Sequence, residues 1–148
     1  MTADMNTPSL SIEDELKRHG TYATNTVGVS MRPLFRTHRD AVFLSVSEER
    51  IKKLDVVLYR DGMERYILHR VIGIRGDVFV IRGDNTYRKE YIGSERIIAR
   101  MVSFTRKGKH HKVDELGYRL YSRIWNFIYP LRLVMHKLRS LARKIIKK

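Results

Sequence analysis

The stretch RYILHRVIGIRGDVFVIRGDN, residues 65–85, has the pattern of a β-hairpin. It contains two runs rich in Ile, Val, Tyr and Phe, RYILHRVIGI and VFVIRG, separated by Arg-Gly-Asp, whose glycine suits a tight turn. We therefore predict two strands joined by this turn. Because side chains alternate across a strand, we expect Ile67, His69 and Val71 to share one face of the first strand.

Further strand-forming runs lie on both sides of this hairpin, between Thr21 and Phe104. They are YATNTVGVS, DAVFLSVS, LDVVLYR and RIIARMVSF. Because short runs joined by turns are typical of antiparallel or mixed sheets, residues 24–104 are predicted to form a small β body curled on itself. Residues 1–23 precede it as a loose leader and a short helix, which begins after the N-cap Ser11 and ends at Gly20.

The period changes near Leu116. Apolar residues then recur at three- and four-residue spacing as far as Ile145, with Lys and Arg between them. This pattern predicts one long basic amphipathic helix, kinked or broken at Pro130. Residues 105–148 thus form a basic loop followed by a helical tail, and the chain as a whole is predicted to be mainly β.

The basic charge of the chain is concentrated in this tail. Of the formal net charge of +14, residues 1–104 contribute +3 and residues 105–148 contribute +11. Three interpretations stay open for residues 117–148: packing on the β body, binding to an anionic membrane surface, and binding to nucleic acid. We favour them in that order and do not expect nucleic acid.

Several kinds of site and segment are not expected. The chain has no cysteine, which excludes disulfides and thiolate metal sites. The histidines lack metal-ligand spacing, and His110 and His111 are expected to lie in an exposed basic loop, so neither a metal nor a cofactor is predicted. Neither a secretory signal nor a membrane-spanning segment is recognisable, which favours a cytoplasmic or peripherally membrane-associated protein.

Three polar residues could act together in catalysis. Taken singly, Ser30 is a polar residue at a turn, His69 a half-buried strand histidine, and Asp84 part of a Gly-Asp-Asn turn. Taken together, they supply a nucleophile, a general base and a carboxylate to orient that base. Spacing does not establish that they meet. Met31 is expected to fill the core and Pro33 to fix the exit of the loop.

Four stretches resemble type I signal peptidases and their LexA-like relatives, in family order and over about residues 24–104. They are VGVSMRPLF, LDVVLYR, YILHRVIGI and VIRGDN. Histidine stands where bacterial leader peptidases carry lysine, which resembles the archaeal and endoplasmic-reticulum type. The resemblance implies a serine endopeptidase that cleaves an extended peptide or preprotein, with Ser30 as nucleophile, His69 as general base and Asp84 as the assisting aspartate.

Two features depart from the family pattern. No further Asp follows the Gly-Asp-Asn box, so Glu90 stays open as the carboxylate that orients His69. A short polar helix stands where the family usually has an N-terminal transmembrane anchor. A non-catalytic or self-processing relative, which binds a peptide or partner and uses its basic tail on membrane or nucleic acid, therefore remains the alternative.

Overall fold

The computed structural model describes residues 11–46 and 49–147, and these form eight strands and three α-helices. The predicted leader, up to residue 10, lies outside the described residues. A short 3-10 turn, Ser94–Arg96, precedes the seventh strand. In chain order the elements are α1 (Ile12–His19), β1 (Thr21–Asn25), β2 (Ala41–Ser45), β3 (Val56–Arg60), β4 (Tyr66–Arg75), β5 (Val78–Arg82), β6 (Glu90–Gly93), β7 (Ile97–Arg106), β8 (Lys109–Lys112), α2 (Leu116–Phe127) and α3 (Tyr129–Ile146).

The strands form a single antiparallel sheet. They pair in the order β1-β2-β7-β3-β4-β5-β6, and β8 pairs with the end of β7. The predictions of a mainly β body and a short N-terminal helix are confirmed. The helix begins after Ser11, whose hydroxyl accepts the N–H of Asp14, and ends at Gly20, whose φ of 69° is the left-handed value that favours glycine.

The predicted hairpin is formed by β4 and β5. Arg75 pairs with Val78 across a turn in which Gly76 has a φ of 60°. The register shifts by one residue between Val71 and Gly73, so Ile72 is the extra residue of a β-bulge. On the N-terminal side of this bulge, each residue of β4 pairs with the residue one position earlier than the register at the turn would give.

The central strands are buried on both sides, and two apolar clusters result. One contains Leu16, Met31, Leu34, Phe35, Val42, Leu44, Val56, Leu58, Ala99, Met101 and Phe104. The other contains Val57, Tyr59, Val71, Ile81 and Ile92. Alternation in β3 sends successive residues to opposite clusters, and Ile67 and Leu68 of β4 pack against different ones, as the sequence pattern predicted.

The C-terminal region has the predicted break in its helix, close to Pro130, and differs from the prediction at His110 and His111. The long helix is divided at Ile128, and Pro130 lies in the first turn of α3, where its missing N–H has no helical acceptor to lose. His110 and His111 belong to β8 and not to a loop: their rings contact Phe43 and Phe104, at centroid distances of 5.4 and 5.3 Å. Among the described helices, none is long and apolar enough to cross a membrane.

A buried ion pair joins β4, the loop after β5, and α2. Arg70 Nε and Nη2 donate to the two carboxylate oxygens of Asp84, at 2.7 and 2.9 Å, and both side chains are 2 % exposed. The remaining guanidinium nitrogen donates to Ser122 Oγ at 2.8 Å and to the carbonyl of Leu54 at 2.9 Å. The hydroxyl of Tyr121 donates to Asp84 at 2.8 Å, which completes the enclosure of the pair.

We expect Asp84→Asn to lower the free energy of unfolding by about 3 kcal/mol, because Arg70 would keep its charge in a buried site without a counter-charge. The matched control is Glu64→Gln, which neutralises a carboxylate that is 58 % exposed beside Arg60 and Arg96. This control should cost less than about 1 kcal/mol. Urea unfolding of the three proteins measures both values, and equal losses would contradict the importance given to the buried pair.

Candidate active site

The segment that carries Ser30 connects β1 to β2 and is fixed at several points. Met31, Leu34 and Phe35 lie in the larger apolar cluster, so the expected core position of Met31 is confirmed. The buried carboxylate of Asp40 accepts the N–H of Arg36 at 2.8 Å, which closes the end of the loop. Between these anchors, Ser30 remains partly exposed.

The Gly-Asp-Asn box holds this segment from the other side. The N–H of Asn85 donates to the carbonyl of Ser30 at 2.7 Å, and the Asn85 side-chain amide donates to the carbonyl of Val29 at 3.1 Å. A Cβ on Gly83 would lie 2.7 Å from the Ser30 carbonyl oxygen and 3.0 Å from His69 Nε2. The two groups therefore approach a single glycine, and no side chain fits between them.

His69 lies on β4, almost fully buried, with its two ring nitrogens in different surroundings. Its Nδ1 is 3.2 Å from the hydroxyl of Tyr59, on β3. That hydroxyl in turn donates a hydrogen bond to the carboxylate of Glu90, at the start of β6. The chain of contacts thus runs from Glu90 through Tyr59 to His69, while Nε2 faces Gly83 and the Ser30 segment.

These contacts assign the tautomer of His69. Burial, and then the hydrogen bond to Glu90, raise the pKa of Tyr59, so its hydroxyl stays protonated and donates a hydrogen bond to Glu90. The tyrosine oxygen then accepts the N–H at His69 Nδ1. Nε2 is consequently the unprotonated nitrogen, with a lone pair available on the side of Ser30.

The pKa of His69 is lower than the ordinary 6.5. Burial is the main cause, and the negative charges of Glu90 and Asp84 partly oppose it. At neutral pH the imidazole is therefore uncharged. An uncharged imidazole with a free Nε2 is able to take a proton from a hydroxyl.

The expected contact between Asp84 and His69 is not formed. In the described part of the chain, the carboxylate oxygens of Asp84 accept hydrogen bonds from Arg70 and Tyr121, and His69 is not among its partners. The bulge at Ile72 explains this. If the register at the turn continued along β4, Asp84 would lie opposite His69. The bulge shifts the register by one residue, so continuing the observed pairing by one residue places Gly83 opposite His69. Asp84 then lies on the face of Arg70.

Tyr59 is the site residue that the sequence did not single out. It lies in the LDVVLYR stretch, and its near neighbour Val57 pairs with His69. Residues two apart share a strand face, so Tyr59 lies on the same side as the histidine. A polar ring in an otherwise apolar run, diagonal to a strand histidine, was the available signal.

Ser30 and His69 both line a cleft of about 520 Å³. It is lined by Thr24 and Asn25 of β1, by Ile67 and Leu68 of β4, and by further apolar side chains. β1 lies at one end of the sheet, and its pairing in the described sheet is with β2 alone, so its other edge is available to an added strand.

Comparison with known proteins does not identify a related site. No protein-family model matches the sequence, and no curated protein is detectably similar to it. Within residues 11–46 and 49–147, no group of three or more His, Cys, Asp or Glu side chains is arranged to hold a metal ion.

We expect an NMR titration to give His69 a pKa below 6.5, and Glu90→Gln to lower that pKa further. The carboxylate of Glu90 favours the imidazolium, so removal of its charge makes protonation harder. Glu64→Gln provides the matched control, because its charge is not among those that shift His69. A rise in the pKa of His69 in Glu90→Gln would contradict the arrangement described above.

Proposed function

We propose that this protein is a serine endopeptidase of the signal peptidase type, with Ser30 as nucleophile and His69 as general base. The observation that carries the proposal is that the two ring nitrogens of His69 have different contacts. Nδ1 is held by Tyr59, and Nε2 faces the Ser30 segment across Gly83. A base that is oriented on one nitrogen and free on the other is the arrangement that activates a serine hydroxyl.

The proposed reaction has two halves. Ser30 Oγ attacks the carbonyl carbon of the scissile bond while its proton passes to His69 Nε2, and a tetrahedral oxyanion forms. The proton then passes to the departing amine as the C–N bond breaks, which leaves an acyl-enzyme. Water, deprotonated by the same nitrogen, hydrolyses the ester and restores Ser30.

Two sets of groups support the charges that develop. The imidazolium would be stabilised by the Tyr59 hydroxyl and, through it, by the Glu90 carboxylate. In the described part of the chain the N–H of Ser30 has no hydrogen-bond acceptor, so it is free to donate to the oxyanion. One such donor typically lowers the barrier by about 3 kcal/mol.

The cleft supports an extended peptide as substrate. A segment added along the free edge of β1 would be held by main-chain hydrogen bonds, with alternate side chains directed to the apolar lining of the cleft. This fits a peptide or preprotein whose cleavage site is unfolded.

The resemblance to signal peptidases gains support from where its four stretches lie. VGVSMRPLF supplies Ser30, LDVVLYR supplies Tyr59, YILHRVIGI supplies His69, and VIRGDN supplies the glycine and asparagine that contact the serine segment. Stretches distant in the chain thus meet around Ser30 and His69. The departure is that the carboxylate near His69 is Glu90, acting through a tyrosine.

A non-catalytic peptide-binding relative is the second candidate. In the described part of the chain the Ser30 hydroxyl has no hydrogen-bond partner, His69 included, and a site that only binds peptide would look the same. An empty catalytic site also often shows this, because nucleophile and base close up when substrate binds. A serine-reactive phosphonate separates the two: labelling of Ser30 that is lost in His69→Ala identifies the enzyme.

We expect the protein to cleave a peptide with an Ala-x-Ala site, and Ser30→Ala and His69→Ala each to reduce kcat/KM by at least about a thousandfold. The rate should fall as pH drops through a midpoint below 6.5, because protonated His69 cannot accept the serine proton. Cleavage of the same peptide from pH 4 to 9 measures both effects. Full activity in either variant, or a midpoint in the range of lysine, would exclude the assignment.

We expect Gly83→Ala to reduce kcat by about a hundredfold with the fold retained, since a misplacement of about 1 Å is enough for such a loss. The added methyl group would push the Ser30 carbonyl and the His69 ring apart. Gly62→Ala is the matched control, because a Cβ there meets nothing within 4 Å and its backbone is not left-handed. Similar rates for the two variants would show that the approach at Gly83 is not part of the site.

A further inference from the structure

The helix α2 is held against the β body by one of its faces. Trp125 Nε1 donates to the backbone carbonyl of Asp84 at 2.8 Å, and Ser122 and Tyr121 contact the Arg70–Asp84 pair. The start of α3 continues this attachment, since Tyr129 donates to the carbonyl of Tyr87 at 3.2 Å. These contacts favour packing on the β body, the first of the three interpretations, for α2 and the first turn of α3.

The opposite face of both helices is apolar and in contact with solvent. Six large side chains, spaced by three, four or seven residues, define what we call the apolar stripe, and each is between 46 % and 84 % exposed. They are Leu120, Ile124, Phe127, Leu131, Leu138 and Ile145.

The apolar stripe continues across the break between the helices. The N–H of Ile128 donates to the carbonyl of Ile124, and the N–H of Arg132 donates to the carbonyl of Ile128, so helical hydrogen bonding persists there. Within the described chain, no residue of α3 is buried. Most of α3 therefore presents an apolar side that the rest of the described protein does not cover.

The charge on these helices has one sign. Residues 116–147 contain eight Lys or Arg and no Asp or Glu. With about 100° of rotation per residue, Lys137, Arg139, Arg143 and Lys144 project from the half of α3 opposite to Leu138, or along its borders. The helix thus pairs an apolar strip with a basic remainder.

We infer that α2 and α3 bind the surface of an anionic lipid bilayer, lying in its plane with the apolar stripe among the acyl chains and the Lys and Arg side chains on the headgroups. Such a surface matches both features at once. A second copy of this chain would bring together two helices of the same charge, and a nucleic acid would leave the apolar stripe in water. The inference concerns attachment and does not depend on the proposed peptidase activity.

Two aromatic residues of α2, Tyr121 and Trp125, do not take part in this contact. Tyr121 and Trp125 lie on the face that is attached to the Asp84 loop. The stripe that enters the lipid is therefore aliphatic apart from Phe127. Binding should accordingly depend on aliphatic side chains and on basic charge, and not on tryptophan.

The test compares Leu138→Glu with Ser140→Glu in the full-length protein. Both residues are exposed, and both substitutions add one negative charge to the same turn, but the first places it on the apolar stripe and the second on the polar side. Flotation with vesicles of phosphatidylcholine and phosphatidylglycerol, and with phosphatidylcholine alone, measures binding. Circular dichroism establishes that each variant is folded.

We expect the wild type to bind the anionic vesicles and to bind phosphatidylcholine weakly, with partition reduced at high salt. Leu138→Glu should reduce partition at least about tenfold, and Ser140→Glu should reduce it no more than about threefold. Equal reductions would show that charge alone is responsible and would overturn the inference. So would an absence of vesicle binding together with a dimer, detected by analytical ultracentrifugation, that Leu138→Glu abolishes.

Discussion

The arrangement of the site depends on the guanidinium of Arg70, which is buried at the centre of the molecule and has to be neutralised there. Its planar fork takes both oxygens of Asp84, and its remaining nitrogen reaches Ser122 on α2. Because Asp84 is fixed, its neighbours are fixed as well: Gly83 lies against His69, and Asn85 holds the carbonyl of Ser30. A structural ion pair thus determines where the candidate nucleophile and base stand.

This use of Asp84 has a chemical consequence for the histidine. The carboxylate oxygens of Asp84 accept from Arg70 and Tyr121, and Glu90 reaches His69 through the hydroxyl of Tyr59. A phenol between the two carries no charge of its own, so the imidazolium would be stabilised less directly than by a touching carboxylate. Burial lowers the pKa of His69, and the nearby negative charges offset this only in part.

The elements that follow from local rules could be predicted from the sequence. The helix between Ser11 and Gly20, the β4–β5 hairpin and the alternation around His69 depend on capping, turn chemistry and periodicity, which the sequence displays directly. The partner of Asp84 could not be predicted, because it depends on the bulge at Ile72. The bulged residue itself is neither a proline nor a glycine, so the sequence at that position does not indicate a bulge. A one-residue shift exchanges the faces of every side chain beyond it. The strand at His110 and His111 was missed for a related reason: four polar residues become a strand through their pairing with β7.

The attachment of α2 to the Asp84 loop also bears on when the site is completed. Synthesis runs from the N-terminus, so the β body is made before the helix that covers it. Until Ser122 and Trp125 have followed, Arg70 lacks one of its acceptors and the carbonyl of Asp84 lacks one of its donors. The loop that holds the Ser30 segment therefore gains its full support late in synthesis, after the segments that carry Ser30 and His69 have been made. If the proposed peptidase activity holds, a nascent chain would not have the fully supported site until α2 has folded.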